Sequence, residues 1–296
     1  MRAIAPSLGK PAQVSRSQAW VRSKEVVYRH PTAVIGALVL VLLILMALLA
    51  PYLGTVDPQT ISPVRRLRKP SETYWFGTDM LGRDVYSRVV FGGRISLAVG
   101  LSVAVLATII GLAIGLVTGF VRWLDAVVMR VMDGLMSIPG VLLAIALMAL
   151  TKASLENVII AITVTEVPRV VRLIRGLVLS LREQAYVDAA IASGTRTPLI
   201  LLRHILPNTM APLLVQGTYI CASAMLTEAI LSFLGAGTPP NIPSWGNIMA
   251  EGRALFQLAN YLIFFPGIFL SLAVLSVNLL GDGMRDALDP RLARNM

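Results

Sequence analysis

The sequence predicts an all-α integral membrane protein with about six transmembrane helices, because its apolar residues fall in separate runs of about 20, the length that crosses bilayer hydrocarbon. Apolar residues make up 56% of the 296 positions and charged residues only 14%, where a soluble domain carries about 25%. The mean hydropathy of +0.74 points the same way. The net charge of +10 sits in polar segments beside the apolar runs, and aromatics are only 6%. That placement suits lipid headgroups and cytoplasmic loops, so membrane lipid is the expected partner and nucleic acid is not.

Residues 1–31 form a basic segment with Arg2, Lys10, Arg16, Arg22, Lys24 and Arg29 against Glu25. The apolar run from Ala33 to Ala50 follows, and the first transmembrane helix is placed at 32–53. Its length and long charged leader read as a retained anchor with a cytoplasmic N-terminus. Residues 54–94 read as a periplasmic loop rich in proline, with one short helix at its end. A five-helix core is expected over 95–283 and a cytoplasmic tail over 284–296.

Within that core the stretch Ile95 to Val121 carries Gly100, Gly111, Gly115 and Gly119, small residues that let helices approach closely in lipid. A third span runs from about Val127 to Leu150, broken near Pro139-Gly140, and a fourth from about Leu155 to Val171. A basic loop over 172–206 precedes a fifth span from about Ala211 to Leu234 and a sixth from about Leu258 to Leu280. The basic residues favour both termini inside the cell; residues 65–69, RRLRK, run against that arrangement.

Residues 183–207 predict a bent hairpin: a helix ending at Gly194, a turn through Thr195 to Thr197, a short helix opening at Pro198 and a stop at Pro207. An ordinary basic loop is the other reading. The run EQAYVDAAIASGTRTPLILLRHILPN resembles the cytoplasmic loop of ABC importer permeases. Asp188, Ala189, Ala190, Gly194, His204, Ile205, Leu206 and Pro207 fall on that family's pattern, with Asp188 where Glu is usual and His204 where Ile is usual. Three further segments extend the resemblance to the smaller permease type of the dipeptide, oligopeptide and nickel branch. They are FGTDMLGRDVYSRVVFGGRISL, LTEAILSFLGAGTPPNIPSWGNIMAEGR and NLLGDGMRDALDPRL.

The resemblance implies a type I importer permease fold (MetI-like) and a role as half of a pathway for peptides or a related solute. It implies four kinds of partner: a second similar permease, two ATPase subunits, an external solute-binding protein and lipid. ATP and Mg would be bound by the ATPases, and no cofactor is expected in this chain. Nickel complexes, opines and glutathione are the alternative cargoes, and an ion-coupled secondary transporter is the alternative class.

No G-x-x-x-x-G-K-[ST] loop occurs, so the energy must enter elsewhere. No catalytic residue is expected. His30 and His204 are the only histidines and Cys221 the only cysteine, so no fixed metal site is expected. A charge inside hydrocarbon is costly and faces protein or water, which singles out Glu228 beside Thr227, Glu166 with Arg169, and Asp133 before Pro139. For Glu228 and Asp133 a pathway role and a structural role stand open; for Glu166 with Arg169 such a pair stands beside a plain interfacial position near a span end. Asp79, Arg83 and Asp84 read either as a stabilising network or as part of a docking face.

Overall fold

The computed structural model describes residues 31–288; the basic segment before Pro31, with His30, and the tail beyond Leu288 lie outside the described residues. The chain is a helical bundle in which α1 is Pro31–Leu48 and α2 is Val85–Phe120. Next come α3, Arg122–Ser137, and α4, Gly140–Ala149, bent by 91° at Ile138-Pro139. Helix α5 is Leu155–Leu181, and the short helices α6 and α7 are Ala185–Ala192 and Thr197–Ile200. Then follow α8, Leu206–Phe233, α9, Trp245–Arg253, and α10, Tyr261–Leu288. By length and composition, four helices among the described residues can cross a membrane, or five if the bent pair is one span. Helix α5 is about 40 Å long, enough to cross, and is set apart only by its charges.

Several element ends differ from the hydropathy reading, most clearly where polar residues are covered by protein or paired. Helix α2 begins at Val85 and not at Ile95, because Ser87, Arg88, Gly92 and Gly93 are buried against neighbouring chain. Asp84 caps it, accepting from the Ser87 amide at 2.8 Å. Helix α5 continues past Val171 to Leu181, its Arg175 paired with Asp125 of α3 and its Arg182 donating to Gly119 O at 3.4 Å.

Glycine sets the closeness of α2 and α5. Gly111, Gly115 and Gly119 lie one turn apart and face Val170, Ile174 and Val178 in turn; a Cβ on Gly115 would stand 2.7 Å from Ile174 Cβ. Gly115→Val is therefore expected to force the helices apart at a cost of about 1–3 kcal/mol. A lowered melting temperature of the detergent-purified protein checks this.

Two apolar cores form. One lies among α2, α5 and α8 around Ile162, Ile174, Ile200 and Ile205. The other lies where α1, α9 and α10 meet α2 and α8, around Trp245, whose indole donates to Val89 O at 2.9 Å. The loop over 54–84 folds onto this second end of the bundle: the Val56 amide donates to the Ser87 hydroxyl of α2 at 2.9 Å and the Tyr261 hydroxyl of α10 donates to Thr78 O at 2.8 Å.

Candidate functional site

The hairpin between α5 and α8 is built as a rigid elbow. Helix α6 ends in a Schellman arrangement: Gly194 sits at φ +75°, its amide reaches Ile191 O at 2.9 Å, and the Thr195 amide reaches Ala190 O at 3.0 Å. Pro198 then lies in the first turn of α7, where a missing N–H costs nothing. Val187, Ile200 and Ile205 are buried and pin the elbow to the bundle. Asp188, Ala189 and Gly194 are exposed on its outside, while Ala190, His204 and Leu206 are half-buried and Pro207 is exposed.

The chain does not stop at Pro207. A π-helical turn over Leu201–Ile205 joins α7 to α8, with the Leu206 amide reaching Leu201 O five residues back. The wider turn makes room for the Pro207 ring, and the region from Thr197 to Phe233 runs on as one helical span. Sequence reasoning read Pro207 as a break, since π-turns have no composition signal.

Glu228 lies fully buried and pairs with no arginine among the described residues. Its Oε1 accepts from the Ser232 and Ser244 hydroxyls, both at 2.8 Å. Ser244 also caps α9, accepting from the Asn247 amide at 3.1 Å, while the Asn247 side chain donates to Thr238 O and Pro239 O. Glu228 thus fastens the connection 235–244 to the end of α8. Thr227, next to it, is half-buried on another face. Glu228→Leu leaves buried hydroxyls without their acceptor, and is expected to lose about 1–3 kcal/mol in the stability of the purified protein. Thermal melting in detergent tests it; an unchanged midpoint would refute the fastening role.

Glu166 accepts from Ser223 of α8 at 2.9 Å and meets Arg169 at 3.5 Å. Asp133 of α3 pairs with Arg172 of α5 at 2.7 Å, both half exposed or more. At the other end of the bundle Asp79 and Arg83 form the stabilising network that the sequence offered, joined by two residues that sequence reasoning missed, Arg88 and Glu251. Arg88, 1% exposed, bonds Asp79 at 2.6 Å and grips Glu251 of α9 at 2.6 and 2.8 Å, while Arg83 joins Asp79 at 2.6 Å and Glu251 at 2.7 Å. Asp79 and Arg83 are thereby built into the fold and Asp84 into the cap. The partner Glu251 stands far along the chain and gave no local signal.

Residues 87–294 match the family of binding-protein-dependent transport system inner membrane components, and residues 20–70 match the N-terminal transmembrane domain of oligopeptide transport permease C. A probable peptide ABC transporter permease protein, y4tQ, of Sinorhizobium fredii is 53% identical over 90% of this chain and 91% of its own length. The dipeptide transport system permease protein DppC of Alkalihalophilus pseudofirmus is 39% identical over 92% and 90%. The glutathione transport system permease protein GsiD of Escherichia coli is 40% identical over 96% and 94%. Among solved structures, a chain of the MetNI methionine ABC transporter in inward-facing conformations aligns with a TM-score of 0.59 at 20% identity, covering 68% of this chain and 96% of that one; it shares the fold.

Proposed function

Because this chain belongs to the family of binding-protein-dependent transport system inner membrane components, we propose that the elbow from Asp188 to Pro207 couples it to an ATP-hydrolysing subunit. The chain is a multi-pass inner-membrane permease subunit of an ABC importer. The observation that carries the coupling reading is continuity: a capped elbow with small exposed residues runs without a break into a membrane-crossing helix.

In this reading Asp188, Ala189 and Gly194 face a cleft on the ATPase, and His204, Ile205, Leu206 and Pro207 carry its movement into α8. A second, similar permease completes the pathway, two ATPase subunits bind the ATP and Mg, and an external binding protein delivers the cargo. Both termini and the elbow lie in the cytoplasm, in keeping with the basic residues Arg172, Arg175, Arg182, Arg196 and Arg203 around the elbow. Peptide is the cargo class, supported by relatives whose names specify peptide and dipeptide transport.

The test is reconstitution of the chain with its second permease, ATPases and binding protein in vesicles. Uptake of a labelled peptide that needs ATP and the binding protein supports the reading. Uptake by this chain with no ATP-hydrolysing partner present would end it.

A further inference from the structure

Helix α8 carries a polar lane that neither the elbow nor the Glu228 fastening uses. Asn208, Gln216, Tyr219, Ser223 and Thr227 fall within an arc of about 100° when residues are wound at 3.6 per turn. All five are partly or well exposed. Glu228, by the same winding, points well away from the lane. Toward the elbow end the lane opens into a groove of about 670 Å³ among α5, α8 and α10, lined in part by Asn208, Gln216, Tyr219 and Arg285.

Charges of both signs border it. Glu166, which holds Ser223, meets Arg169, a residue 59% exposed although it lies about 21 Å into α5. On the other side the Tyr219 hydroxyl donates to Asp282 of α10 at 2.5 Å. An exposed arginine at mid-span, beside a helix face polar at nearly every turn, faces water or protein and not lipid.

We infer that the cargo path runs along this face of α8, and that Arg169 and Asp282 receive the carboxylate and ammonium ends of a zwitterionic peptide. The levels of Ser223 and Tyr219, where these two charges join the lane, differ by one turn, about 6 Å along the helix axis. Two extended residues span about 7 Å, so a dipeptide matches this separation of levels along the helix. The inference rests on the permease reading and adds to it the residues that touch cargo.

The experiment uses the complete transporter in vesicles, carrying Cys221→Ala, with Gln216→Cys or Ser223→Cys introduced singly. A charged, water-soluble thiosulfonate is expected to label both variants and to cut uptake of a labelled dipeptide by more than about tenfold, with free dipeptide slowing the labelling of the S223C protein. Arg169→Gln is expected to lower dipeptide uptake about tenfold or more, with Arg169→Lys recovering most of it and binding-protein-stimulated ATP hydrolysis retained in both. Labelling only by a lipid-permeant maleimide places the face against lipid and overturns the inference. Loss of the second permease from the purified labelled complex makes the face a subunit interface and overturns it as well. In either case wild-type complex that still moves peptide leaves the permease reading standing.

Discussion

Ala189→Arg is expected to abolish uptake while leaving the chain inserted and folded. Ala189 is exposed on the elbow, so a long side chain there meets no neighbour within this chain. Any loss is then a loss of fit to the partner that the elbow enters. Gly194→Val approaches the same outcome from the backbone: at φ +75° a β-branched residue is strained by about 1–2 kcal/mol, which loosens the turn joining α6 to α7. Gly194→Asn tolerates that conformation and is expected to retain most uptake. The measurements are membrane abundance by immunoblot, retention of the ATPase on purification and uptake rate. Normal uptake by the Ala189→Arg transporter would remove the coupling role from this elbow.

Arg88→Leu is expected to be the most destabilising of these substitutions, at about 3–5 kcal/mol, because it strips a buried cation from two carboxylates and leaves only Arg83 to answer Asp79 and Glu251. The three elements tied there are the loop over 54–84, α2 and α9, so the lesion falls at the opposite end of the bundle from the elbow. Steady-state amount in the membrane and the melting midpoint in detergent both should fall. Replacing Arg88 and Asp79 together with Leu and Asn removes one charge of each sign and is expected to recover part of the loss. A single Arg88→Leu protein that melts like wild type would show that the group contributes nothing.

How much of this was legible in the sequence depended on how local the cause was. The end of α6 at Gly194 was readable because the left-handed residue that closes a helix is set by the chain's own backbone. The spans were readable where lipid is the neighbour, as along α1. They were misplaced where protein is the neighbour: the first turn of α2, with Arg88, lies inside the fold, and hydropathy counts it as loop. The charge of Glu228 was visible, but its second partner, Ser244, arrives from the connection after the helix. The π-turn over Leu201–Ile205 was hidden for another reason, since Pro207 reads as a stop unless the preceding turn widens to admit it. The pairings of Asp133 with Arg172 and of Glu166 with Ser223 likewise needed three dimensions.

The join between the elbow and α8 has a thermodynamic corollary. One unbroken rod carries the hairpin at one end and, through Glu228, the 235–244 connection at the other. Whatever free energy a ligand pressing on that connection passes to the hairpin must return unchanged when the hairpin is seized instead. Reciprocity of this kind asks for no relay of rearranging side chains, only for a shaft stiff enough that neither extremity can tilt alone.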